Sequence, residues 1–220
     1  MTLAKTLRFL NGVIPNNNKE WFTANKKLYL KAKQEFEEVV EEWIDLAKAI
    51  DPAIDVFDAK KCIFRFYRDT RFSKDKTPYK SNFGAFINPC GKKSPYCGFY
   101  MHVEPGESFV AGGVMPEPGA LRKIRKGIFN NPEKLKGILN DPNFKNYFDG
   151  LSGEKLKRAP KGFPPDFKDI DLLRPKHYAV VHYVPDTLWI SDDLNENLKT
   201  LFKTVFPFND FINGILRKAI

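Results

Sequence analysis

Cysteine is scarce in this chain of 220 residues: three, at positions 62, 90 and 97. An odd number excludes a fully paired disulfide framework, and the spacing fits no metal knuckle. With no export signal in view, they read as reduced thiols. Cys90 and Cys97 would suit a hairpin bridge only in an exported protein. Histidine is equally rare, and no His, Cys and carboxylate cluster has metal spacing, so no metal is expected. No run of 18 apolar residues exists, which excludes a membrane-spanning helix. Lys5 and Arg8 interrupt the apolar residues of segment 1–10, so it lacks a signal-peptide core, and a cytoplasmic location is expected. Walker, GxGxxG, GxSxG and zinc signatures are all missing, so no cofactor is expected.

Apolar and aromatic residues are plentiful. The chain is 42% hydrophobic and holds 20 Phe, enough for a sizeable core and too many for a disordered segment. Length and the lack of repeats favour a single domain over 1–220, with 118–173 as a possible helical insertion. The net charge of +9 suits an acidic partner: nucleic acid, a phosphorylated metabolite or an anionic surface.

Thr2–Phe9 reads as a short helix capped by Thr2. A long helix starts at Asn16–Lys19 and runs to Asp51-Pro52, with Trp21, Leu28, Ala32, Phe36, Val39, Trp43, Ala47 and Ile50 at helical spacing. Its acids, Glu35, Glu37, Glu38, Glu41 and Glu42, read as a solvated face. From Lys61 the period changes to two, which predicts a strand through Tyr67. Three further strands are predicted at 82–88, 96–104 and 107–114, and a fifth at 177–184, extended or paired by 187–190. Short turns between the first ones imply antiparallel pairing. Pro118, Pro132 and Pro142 each open a helix. A final helical region follows Ser191, broken at Pro207. The fold class is therefore α+β: an antiparallel-rich sheet of about five strands covered by N- and C-terminal helices.

The chemistry concentrates in residues 60–80. Eight Lys and Arg against two Asp leave this stretch at +6 of the chain's +9. Arg65, Arg68, Arg71, Lys74, Lys76 and Lys80 offer guanidinium forks and ammonium point charges for a phosphate or carboxylate. Tyr67 and Tyr79 would orient it. Asp69 would hold Arg68 or Arg71 in place. The competing reading is internal ion pairing, or plain solvation of a charged loop. His102, alternating with Tyr96 and Tyr100, is the acid–base candidate, although a lone strand histidine is commonly structural. His177 and His182 read as core or edge residues. Arg65 and Tyr67 are expected to share a sheet face with Tyr100 and His102. A second basic patch, Lys155, Lys157, Arg158 and Lys161, lies in a Gly- and Pro-rich loop.

Residues 67–80, YRDTRFSKDKTPYK, resemble the hallmark of a mainly bacterial family, domain of unknown function 2461. Segments 16–22, 104–113 with 115–118, and 156–164 are similar to its pattern as well, so the resemblance spans nearly the whole chain. Ala159-Pro160 departs from it, where two prolines are expected. The resemblance implies one soluble, intracellular domain and carries no catalytic residue. Three functions follow as expectations: a pocket for an anionic small molecule, whether enzyme or binder; a nucleic-acid surface joining the two basic segments, with no known motif behind it; or a non-catalytic interaction module whose charges pair internally. Oligomeric state is not legible.

Overall fold

The computed structural model describes residues 1–218. Helices α1 (Ala4–Val13), α2 (Lys19–Ala24), α3 (Lys26–Ile50) and the single turn α4 (Ala59–Cys62) precede three strands, β1 (Phe83–Ile87), β2 (Gly98–Val103) and β3 (Phe109–Val114). Helices α5 (Pro118–Asn130), α6 (Pro132–Asn140) and α7 (Pro142–Lys145) follow, then β4 (Tyr178–Tyr183), α8 (Asp186–Trp189) and α9 (Leu194–Arg217). The strands form one antiparallel sheet in the order β1-β2-β3-β4. The fold is α+β, and the sheet has four strands among the described residues.

Register divides the sheet into two unlike faces. Phe83, Ala85, Ile87, Phe99, Met101, Val103, Val110 and Val180 share one face and are all buried. The helices gather there, α3 against β1 and α9 against β3. Phe99 stacks on Phe202 of α9 with ring centroids 4.4 Å apart. Gly112 permits this approach, because a Cβ there would stand 2.3 Å from a Val205 methyl. α5 and α6 pack on α9, and their buried Ile124, Ile128 and Leu135 join the same core cluster. Phe144, Phe148 and Leu173, also from segment 118–173, belong to that cluster too. The other face carries Phe86, Tyr100, His102, Phe109 and Tyr183; the first four are half-buried and Tyr183 is exposed.

Three helix expectations change. The long helix is divided at Asn25, and Asn18 caps the shorter piece by accepting from Trp21 N–H at 2.8 Å. α9 runs unbroken through Pro207; buried Val205 and Phe208 on either side hold the turn despite the missing N–H. Thr2 caps nothing. Glu35, reaching from α3, accepts from the backbone N–H groups of Lys5 and Thr6 at 3.2 and 2.7 Å and from the Thr6 hydroxyl at 2.9 Å. It is buried, so it does not belong to a solvated face. Residues 187–190, expected as strand, begin within α8 instead.

A candidate anion site at the neck of the basic loop

The expected strand over 61–67 does not form. α4 takes its first two residues, Ile63 makes a single bridge to Ala85, and Phe64 N–H donates to Gly84 O at 2.9 Å. The chain then leaves β1 and pairs with itself. Arg68 N–H donates to Pro78 O and Lys80 N–H to Phe66 O, each at 3.0 Å, around a Tyr67–Tyr79 bridge. These contacts close residues 69–77 into a loop with a two-stranded neck. The sequence alternates as a strand because it is paired; its partner is the far side of its own loop.

Aromatic packing fixes that neck. Tyr79 stacks on Phe22 of α2 at 4.1 Å, and Phe66 lies among Phe9, Phe22, Tyr29 and Phe83. Asn17 secures the same point: its Nδ2 donates to Tyr79 O at 2.9 Å and its Oδ1 accepts from Tyr79 N–H at 3.1 Å. A single amide thereby serves Tyr79 as a neighbouring strand would. Segment 16–22 gave a cap signal in the sequence but none for this long-range pairing.

Charge is distributed unevenly over the loop. Asp69 receives Arg71 through two parallel bonds, Nε at 2.9 Å and Nη2 at 2.7 Å, and Arg65 Nη2 at 3.7 Å. Arg71 holds the Asp69 carboxyl below its ordinary value. Arg68 bonds both Asp75 and Thr77, and with Thr77 it lowers the Asp75 carboxyl to about 2. Lys76 Nζ donates to Thr70 O at 2.9 Å. Lys74 is exposed, and Phe72 stands 95% exposed at the tip. Arg65 and Arg71 therefore form an outer ion-pair cluster with Asp69, while Arg68 and Lys80 turn toward the neck.

Beside the neck is a hollow of about 400 Å³, lined among others by Asn17, Arg68, Thr77, Lys80, Ser81 and Asn82. Lys80 is half-buried and has no carboxylate partner among the described residues. Burial, and then the Arg65 charge, hold its ammonium below the ordinary lysine value. Of the residues singled out in the sequence, the structure brings Arg68, Tyr79 and Lys80 to this hollow. Tyr67 packs edge-on against Tyr79 and Phe22, and Arg65, Asp69 and Arg71 stay outside. A second hollow of about 430 Å³, beside His182 and Thr187, has no charged side chain in its wall. His182 Nδ1–H there donates to Tyr147 O at 2.7 Å, since a carbonyl oxygen can only accept.

Arg65 and Tyr67 do not reach Tyr100. Phe64 does, with ring centroids 6.0 Å apart, because the chain turns away from β1 after this residue. Tyr100 Oη lies 2.9 Å from His102 Nδ1, and His102 Nε2 lies 2.8 Å from Glu104 Oε2. Asn82, a wall residue of the hollow, brings its Nδ2 to 3.3 Å from the same Nδ1. The Lys155–Lys161 segment runs beside the opposite edge, where Leu156 N–H meets Arg174 O and Ser152 N–H meets Ala179 O of β4. Among the described residues no group of His, Cys, Asp and Glu is placed to hold a metal, and no helix is long and apolar enough to cross a membrane.

Compared with family models, the chain matches one described as conserved hypothetical protein (DUF2461) over residues 5–211. The chain belongs to this family. The match takes in the loop, its Asn17 clamp and the β2 histidine together. No curated protein and no solved structure matches it.

Proposed function

We propose that the protein binds a small molecule bearing a phosphate or carboxylate in the hollow at the loop neck. Lys80 carries the reading: a half-buried ammonium, unpaired among the described residues and depressed by burial, on a wall that also offers Ser81 and Asn82. An anion would remove the cost of that burial and add charge-assisted hydrogen bonds. Arg68 and Lys80 against Asp75 leave the lining at +1, which favours one compact anion over a polyanion.

Calorimetry with inorganic phosphate tests this. One charge-assisted hydrogen bond contributes about 1.5–3 kcal/mol, so Lys80→Ala should weaken binding roughly 10- to 100-fold. Absence of binding to the wild type, or equal binding by Lys80→Ala, would refute it. Binding of short single-stranded DNA that collapses with salt, in a protein indifferent to phosphate, would put the nucleic-acid reading in its place.

A further inference from the structure

Three residues at alternate positions, Tyr100 and His102 in β2 and Glu104 just past its end, line up in hydrogen-bonding order on the half-open face of the sheet. With Nε2–H donating to the Glu104 carboxylate at 2.8 Å, a neutral imidazole leaves Nδ1 as an acceptor, 2.9 Å from the Tyr100 hydroxyl. An acid orients a base, and the base sits on a hydroxyl, which is the arrangement that activates nucleophiles on unrelated folds. Two further side chains hold the imidazole. Phe109 stacks on it at 4.5 Å and 10°, and Asn82 touches Nδ1. Glu104 is fixed through its backbone, whose N–H meets Ser108 Oγ at 3.0 Å while Ser108 donates back to Glu104 O at 2.7 Å. Gly84 leaves room for the hydroxyl, since a Cβ there would stand 2.8 Å from Oη. His102 and Glu104 side chains are 15% and 23% exposed, sheltered but not sealed.

The row adjoins the hollow. Asn82 belongs to both, and Phe64 bridges them on the other side, 5.6 Å from Lys80 Nζ and 6.0 Å from the Tyr100 ring. We propose that the protein is an enzyme in which Tyr100, activated by His102, takes a proton from a phosphorylated or carboxylated small molecule anchored beside Lys80. This inference rests on the anion reading above. In the step, the substrate's proton passes to Tyr100 Oη as the Oη–H proton passes to His102 Nδ1, and the electron pair stays on the substrate. Glu104 stabilises the imidazolium that results. Tyr100 and His102 are the catalytic pair, with Glu104 and Asn82 as positioning residues. Burial, with Glu104 adding to it, raises the Tyr100 hydroxyl to about 12; the hydroxyl keeps its proton until His102 receives it.

An aryl sulfonyl fluoride carrying a carboxylate, 4-(fluorosulfonyl)benzoate, probes the activated hydroxyl without knowledge of the substrate. Labelling forms the Oη–S bond, releases fluoride and sends the phenolic proton to Nδ1. Peptide mapping should find Tyr100 modified before the far more exposed Tyr183. His102→Gln should slow labelling at least about 10-fold and Glu104→Gln by a smaller factor, with both variants checked for a cooperative thermal transition. Modification in order of exposure, or at the same rate in a folded His102→Gln protein, would overturn the inference. Inorganic phosphate and Lys80→Ala should each protect Tyr100. Labelling that depends on His102 but ignores both would uphold the relay and refute the hollow as its anchor.

Discussion

Asp75 and Asp69 answer most of the charge on the loop, and each does so with chosen partners. In the sequence Asp69 stands between Arg68 and Arg71, and either was open to it. The structure gives it Arg71, closely, and Arg65, loosely; Arg68 goes to Asp75. Residue spacing could not decide this, because the choice depends on a neck that brings residue 68 opposite residue 78. Both carboxyls are depressed when folded, so their contribution is complete above their unfolded value near 3.8 and is lost as pH falls through the folded one. Carboxyl NMR should place the Asp75 midpoint near 2. The amides of residues 69–77 should lose dispersion as acid reaches that point, while those of the sheet do not. A midpoint near 4 would show Asp75 to be free of Arg68.

Among elements, α1 depends on a residue from another helix. Its first turn has no side-chain cap of its own, and Glu35 meets two of its orphan N–H groups across 29 and 30 residues. Glu35→Ala removes a cap and leaves buried donors unmet, a loss of about 2–4 kcal/mol readable as a lower urea midpoint; Glu35→Gln, which still accepts, should lose much less. The sequence suggested solvent for this acid because helical periodicity says which residues share a face and not what covers it. Local signals fared better. Pro118 and Pro132 mark the starts of α5 and α6, and Asn130 and Asn140 close them, since a proline's fixed φ and missing N–H act without help from the fold. The stretch over 61–67 failed for the converse reason: its period of two was real, but register and partner are long-range properties.

Across the whole molecule the expected class holds, with helices from both ends of the chain on one sheet face. The three thiols are free; Cys62 and Cys97 are buried and Cys90 is exposed. Cys90 and Cys97 form no bridge. Burial pushes the Cys62 thiol up to about 11 and the Cys97 thiol higher still, which removes the reactive thiolate. A thiol reagent at neutral pH should therefore titrate one group in the native protein and three in denaturant; two fast native groups would mean that the core opens more readily than its packing implies. The candidate site was half legible. Its cations could be counted from the sequence, and His102 stood out by its strand position. Asn17 and Asn82 could not be found that way, because neutral amides acquire a role only from what the fold sets beside them.

Asn17 holds both backbone polar groups of one residue, Tyr79, 62 positions away, and this ties the corner between α1 and α2 to the loop neck. The two bonds share one side chain, so the corner and the loop neck separate together or not at all. Ile14, Asn17 and Tyr79 all line the hollow, so a load on residues 14–18, from a fused tag or an antibody, bears directly on its wall.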